Sequence, residues 1–184
     1  ELLPKIQQSI LDAIPAAEAL PQIVWTPRQK TYLFLLQNNT ELRPTGGFIG
    51  TYGVLKVLNG EIEAFHTDNI YNLDNLGRER FQRTPPEPIK KYLQVSQWLM
   101  RDSNWDPDFP SAAATTEEFY HEEGGPEPEF DGVISVTPTF IEALIALTGD
   151  ITVNGITFTK DNFVETLQFQ VEQGFYRQGI ADSE

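Results

Sequence analysis

Thr31 to Gln37 reads TYLFLLQ, an almost unbroken apolar run with no polar alternation. A strand with one wet face alternates apolar and polar residues, so this run belongs to a central strand covered on both faces. Phe48 to Leu58 (FIGTYGVLKVL) and Glu61 to His66 are rich in β-branched and aromatic residues. Asn59-Gly60 between them suits the positive φ angles of a tight hairpin, so the two segments should pair antiparallel. Asp131 to Thr137 (DGVISVT) reads as a short buried strand, and Ile151 to Thr159 as a second hairpin around Asn154-Gly155.

Helices fill the intervals. Ile6, Ile10 and Ile14 mark a first helix that Pro15 and Pro21 bend or end. TPPEP at Thr84 to Pro88 leads into a helix whose apolar positions are Ile89, Leu93 and the Trp98 to Met100 end. Another helix is expected from Pro110 through Tyr120, before a surface loop at Gly124 to Glu129. Thr137-Pro138 caps a helix carrying Phe140, Ile141, Leu144, Ile145 and Leu147, which Gly149 closes. Phe163, Leu167 and Val171 mark the last. Strands alternating with helices, plus two hairpins, predict a three-layer α/β sandwich, with a mixed central sheet and helices on both faces. The 184 residues suit a single domain, 1–184. Because the chain opens at Glu1 inside a helical pattern, it reads as a piece excised from a longer, membrane-tethered protein.

Charge and composition exclude several functions. A net charge of -14 argues against nucleic acid, since phosphate backbones are held by clustered Lys and Arg. The basic cluster Arg78, Arg80, Arg83 is interrupted by Glu79. With no cysteine and only His66 and His121, there is no thiolate zinc site, so any bound cation should be oxygen-ligated and weak. No Walker loop, no Gly-x-Gly-x-x-Gly and no Gly-x-Ser-x-Gly elbow occurs. No run approaches the roughly 18 apolar residues of a membrane-spanning helix.

Three segments carry groups capable of chemistry. In QNNTELRPTGGFIG (Gln37 to Gly50) the central strand ends in polar residues, and the crevice beyond strand carboxyl ends is where open α/β sheets bind ligands. Arg43 could fork onto phosphate or carboxylate, with Thr45, Gly46 and Gly47 presenting backbone amides; equally, Arg43 could pair with Glu41 or another acid in a structural loop. In RDSNWDPDFP (Arg101 to Pro110), Asp102, Asp106 and Asp108 are spaced to hold Mg2+ or Ca2+, or to cap turns around a buried Trp105. In Glu63 to Asp74, His66 has no partner by spacing and reads as an ordinary strand residue.

The motifs NNTELRPTGGFIGTYG, RDSNWDPDFPSAA and DGVISVTPTFIEALIALTG, in that order, resemble the bacterial family called domain of unknown function 4012. Members have a membrane-spanning helix ahead of this domain and face outward, which implies an extracytoplasmic, membrane-anchored location, the membrane being met only through an N-terminal tether. The layout is also more distantly similar to the LytR-CpsA-Psr phosphotransferases, which transfer glycopolymers from a polyprenyl pyrophosphate carrier to the cell wall. That resemblance aligns Arg43 with the arginine of their Arg-Ser-Asp motif and Asp68 with the aspartate of Pro-Arg-Asp, implying catalytic roles. Here Pro44-Thr45 replaces Ser-Asp, and Thr67 precedes Asp68. With a single aligned arginine, Arg101 or Arg28 would have to complete a pyrophosphate grip.

Two functions follow as expectations. One is an envelope binding module for a cell-wall glycan or an envelope protein partner. The other binds a phosphorylated polyprenyl-glycan through Arg43 and Arg101, with Mg2+ held by Asp68, Asp102 or Asp106.

Overall fold

The computed structural model describes residues 25–169, together with Glu18 and Pro21. The helix expected around Ile6, Ile10 and Ile14, and Val171 of the last helix, lie outside the described residues.

The fold is an α/β sandwich on a mixed sheet of four strands in the order β3-β2-β1-β4. Strand β1 (Lys30–Asn38) lies inside it, antiparallel to β2 (Phe48–Leu58) and parallel to β4 (Gly132–Val136). TYLFLLQ therefore occupies the central position its composition requires. Strand β3 (Glu61–Asn69) pairs with β2 through the expected hairpin, in which Asn59 and Gly60 both take positive φ, 51° and 84°. The second hairpin, β5 (Ile151–Val153) with β6 (Ile156–Phe158), forms its own two-stranded sheet.

The helices among the described residues are α1 (Ile70–Arg80), α2 (Glu87–Leu93), α3 (Phe109–Glu123), α4 (Pro138–Thr148) and α5 (Phe163–Phe169). Leu33 and Leu35 of β1 and Ile49 and Tyr52 of β2 are buried against Ile70 and Leu73 of α1 and Phe119 and Tyr120 of α3. Met100 completes this cluster, and α1 and α3 pack on each other. At about 1.5–3 kcal/mol for each fully buried large apolar side chain, this cluster is the main source of stability.

Two elements depart from expectation. The helix entered at TPPEP does not reach Met100, because Gln94 takes a left-handed backbone (φ 55°, ψ 33°) and ends α2 at Leu93. Trp98 instead donates its indole N–H to the Asp102 carbonyl at 2.8 Å, beside a 3-10 turn at Met100–Asp102. Conversely, β3 runs on to Asn69 and is followed at once by α1, which the apolar periodicity does not announce. Two asparagines, an aspartate and Gly77 break its face; its start is set by Asn69, whose side chain caps the Tyr71 N–H at 3.0 Å. Both departures matter for the site.

Candidate functional site

The Met100–Asp102 turn packs against α1, α3 and β2, and carries two ion pairs on consecutive residues. Asp102 Oδ1 accepts from Arg43 Nε at 2.9 Å, while Arg101 Nε lies 3.0 Å from Asp74 Oδ2 of α1. Arg43 also donates from Nη1 to the Leu42 carbonyl at 2.9 Å and stands over the Phe48 ring. The Arg101 guanidinium lies over Tyr71 at 4.9 Å.

Behind Arg101 is a pair of carboxyls. Asp74 and Glu123 are both fully buried and hydrogen-bonded to one another. Glu123 Oε1 accepts the Met100 N–H at 2.7 Å. Among the described residues, no well-aligned hydrogen bond from another group reaches Oε2 of Glu123 or the oxygens of Asp74, which the Arg101 backbone N–H approaches. Two carboxylates cannot hydrogen-bond each other without a proton, so a shared proton pairs one oxygen of Asp74 with one of Glu123. Charge counting agrees: among the described residues, Asp74, Glu123 and Asp102 face two guanidiniums, those of Arg43 and Arg101, through ion pairs. Burial, and after it the Asp74 charge, pushes Glu123 up to about 8. Burial raises Asp74 as well, with Arg101 opposing it.

Gly77 makes this pair possible. A Cβ there would stand 2.4 Å from Glu123 Cγ, so only a glycine lets the Glu123 side chain cross α1 to Asp74.

On its open side Arg101 lines a half-open cavity of about 220 Å³ with Arg78; Gln94, Ser96 and Gln97 form polar walls and Val95 and Leu99 apolar ones. The segment 94–99, which follows the end of α2 at Leu93, supplies the cavity walls opposite Arg78 of α1. Among the described residues, no carboxylate pairs with Arg78, and no hydrogen bond engages the terminal nitrogens of Arg101. Two guanidiniums with free donors in one concavity of mixed polar and apolar lining can grip a small oxyanion.

The remaining site expectations find these places. Thr45, Gly46 and Gly47 all take positive φ (54°, 117° and 124°). A Cβ at Gly47 would stand 2.1 Å from the Asn38 carbonyl oxygen, and the Gly47 carbonyl accepts from buried Asn104 Nδ2 at 2.9 Å. The glycine pair thus closes the loop onto the end of β1. Asp68 Oδ1 accepts from the Asn69 N–H at 2.8 Å and from Asn72 Nδ2 at 2.7 Å, and Oδ2 faces the Tyr52 hydroxyl at 3.4 Å. Asp106 Oδ1 accepts the Asp108 N–H at 2.8 Å, and Asp108 caps α3. Trp105 is partly exposed rather than buried, at 38%. Asp68, Asp102 and Asp106 do not converge: among the described residues no group of three or more His, Asp or Glu side chains is arranged to hold a metal ion. Arg28 pairs with Asp131 at the start of β1, the end of the strand remote from Arg43.

Sequence reasoning therefore reached Arg43, Arg101 and Asp102 but missed Glu123, Arg78 as a pocket residue and Asp74 as a partner of Arg101. The sequence carried no signal for them, because Gly77 marks a close approach only once Ile70–Arg80 is known to be a helix.

Fold and site together define an α/β-sandwich domain whose arginine-lined pocket is backed by a buried acid pair. Residues 28–171 match the family described as protein of unknown function (DUF4012), and the chain belongs to that family. No curated protein and no solved structure matches it. Among the described residues, no helix is long and apolar enough to cross a membrane.

Proposed function

We propose that this domain is an extracytoplasmic binding module, tethered to the membrane in the full protein, that holds an anionic group of an envelope glycan between Arg78 and Arg101. The observation that carries this reading is the pair of guanidiniums with unengaged donors in one concavity. The cavity, about 220 Å³, is below the roughly 300–1,000 Å³ of drug-sized sites and suits one phosphate or uronate group. A protein partner would need a contact of about 800 Å² per side, far beyond what this concavity offers. The overall charge of -14 repels anions at long range, so recognition has to be local, through paired donors.

The polyprenyl-pyrophosphate reading is the alternative, and one observation favours it: Arg43 and Arg101 belong to one ion-pair network on a single turn. Against it, Arg43 is committed to Asp102, Asp68 is committed to the Asn69 N–H and the Asn72 side chain, and the core beside Phe48 is filled by large apolar side chains.

Calorimetric titration with envelope glycan fragments bearing phosphate or uronate, beside neutral fragments of the same length, tests the proposal. Charged fragments should bind, and Arg78→Ala should weaken them about tenfold or more, the scale of a charge-assisted hydrogen bond. Equal binding of neutral fragments, or affinity indifferent to Arg78→Ala, would refute it. Transfer of glycan from a polyprenyl pyrophosphate carrier would establish the alternative.

A further inference from the structure

We propose that anion binding in the Arg78–Arg101 pocket is linked to the proton shared by Asp74 and Glu123, the pocket holding its anion more tightly while that proton is present. This rests on the pocket being the binding site proposed above.

The arrangement of charges carries the inference. Arg101 stands between the pocket and the acid pair, as a pocket wall on one side and the ion-pair partner of Asp74 on the other. The groups facing the pair can be named from each element. The Met100–Asp102 turn supplies Arg101, Asp102 and the Met100 N–H, while β2 supplies Tyr52, whose neutral hydroxyl faces Asp68. From α1 and α3 come Asp74 and Glu123 themselves across Gly77, with Arg80 over Gly124 at the end of α3. Among the described residues, Arg101 is the one cation ion-paired with the acid pair.

With the proton in place the pair carries a single negative charge, which Arg101 neutralises. Losing it puts a second buried negative charge behind the same guanidinium, lowering the positive potential available to a pocket anion. Linkage makes the effect reciprocal: an anion in the pocket must raise proton affinity at the pair. Burial, with the Asp74 charge second, sets Glu123 at about 8, so the exchange falls in an accessible pH range.

The test uses inorganic sulfate, a dianion throughout this range, titrated calorimetrically into the intact chain at about pH 6 and about pH 9.5. Glu123→Gln is the matched variant: its Oε1 still accepts the Met100 N–H, while its Nε2 becomes a permanent donor to Asp74. Sulfate affinity of the native chain should fall on the order of tenfold between the two pH values. Glu123→Gln should hold the higher affinity at both. Independently of any variant, heats measured at about pH 8 in buffers of different ionisation enthalpy should show the native chain taking up protons as sulfate binds. Sulfate binding without pH dependence and without proton uptake would overturn the linkage and leave the pocket standing. No sulfate binding at either pH would overturn both.

Discussion

Two arginines meet at the Met100–Asp102 turn, each ion-paired with a buried aspartate, and their surroundings differ. Arg43 comes from a loop locked by its own glycines, lies over Phe48, and directs Nε and Nη1 at protein acceptors. Arg101 pairs through Nε with Asp74, lines the cavity with terminal nitrogens that no hydrogen bond engages among the described residues, and has a second carboxyl behind its partner. The first arrangement closes a fold, because every charge it buries has a local partner. The second leaves its terminal nitrogens without a protein acceptor among the described residues and puts a titratable pair directly behind them. Being in an ion pair therefore does not distinguish a structural arginine from a binding one; what decides is whether the remaining donors are already engaged by the protein.

Substitutions separate the two regions. The largest effect is expected from Glu123→Ala, which strips Asp74 of its proton-sharing partner and leaves the Met100 N–H buried without an acceptor. Chemical denaturation should show a loss of about 3–5 kcal/mol, as for other buried charged networks broken from one side. Arg43→Ala should cost about 2–3 kcal/mol by leaving Asp102 buried and unpaired, while sulfate affinity stays unchanged. Loss of sulfate binding in Arg43→Ala would erase the contrast.

Gly77→Ala sharpens the acid-pair side. Alanine is the better helix former by about 1 kcal/mol, yet its Cβ would meet Glu123 Cγ at 2.4 Å, so a net loss of about 1–3 kcal/mol is expected. In a double-mutant cycle that loss should vanish on the Glu123→Ala background. Simple additivity would mean that Gly77 serves some other contact.

The pH dependence of stability has a definite sign. The Glu123 carboxyl lies at about 8 in the fold, above its ordinary value of about 4.3 in an unfolded chain. Between these values the native state holds a proton that the unfolded chain releases. Stability is therefore full below the unfolded value and is lost progressively as pH rises towards 8. The melting temperature should decline over this interval, and Glu123→Gln should flatten the decline. A native chain that gains stability from this pair as pH rises would contradict a shared proton.

Much of the fold was legible because its signals are local. TYLFLLQ has no polar face and lies inside the sheet, although Leu36 stays exposed, and both Asn-Gly pairs demand positive φ whatever surrounds them. Arg43 and Arg101 stood out because each sits in a polar segment following an apolar one. What was hidden is held by tertiary contact. The apolar face of α1 is thin because Asp74 and Gly77 occupy inward positions, and their reason lies on α3, 46 residues beyond Gly77, at Glu123. The Gln94 left-handed stop that ends α2 beside the pocket is equally invisible, since glutamine carries no turn signature.

Arg78→Ala carries the smallest stability effect, within about 0.5 kcal/mol, because the side chain is exposed and, among the described residues, has no ion-pair partner. The same residue belongs to the most direct comparison of the two regions. Arginine Nε–Hε resonances can be followed by NMR while inorganic sulfate is titrated into the intact chain. Saturable shifts at Arg78 and Arg101, with Arg43 unmoved, are the expected result. Shifts at Arg43 with Arg78 and Arg101 fixed would place the anion site at the glycine loop instead and contradict the assignment of the pocket.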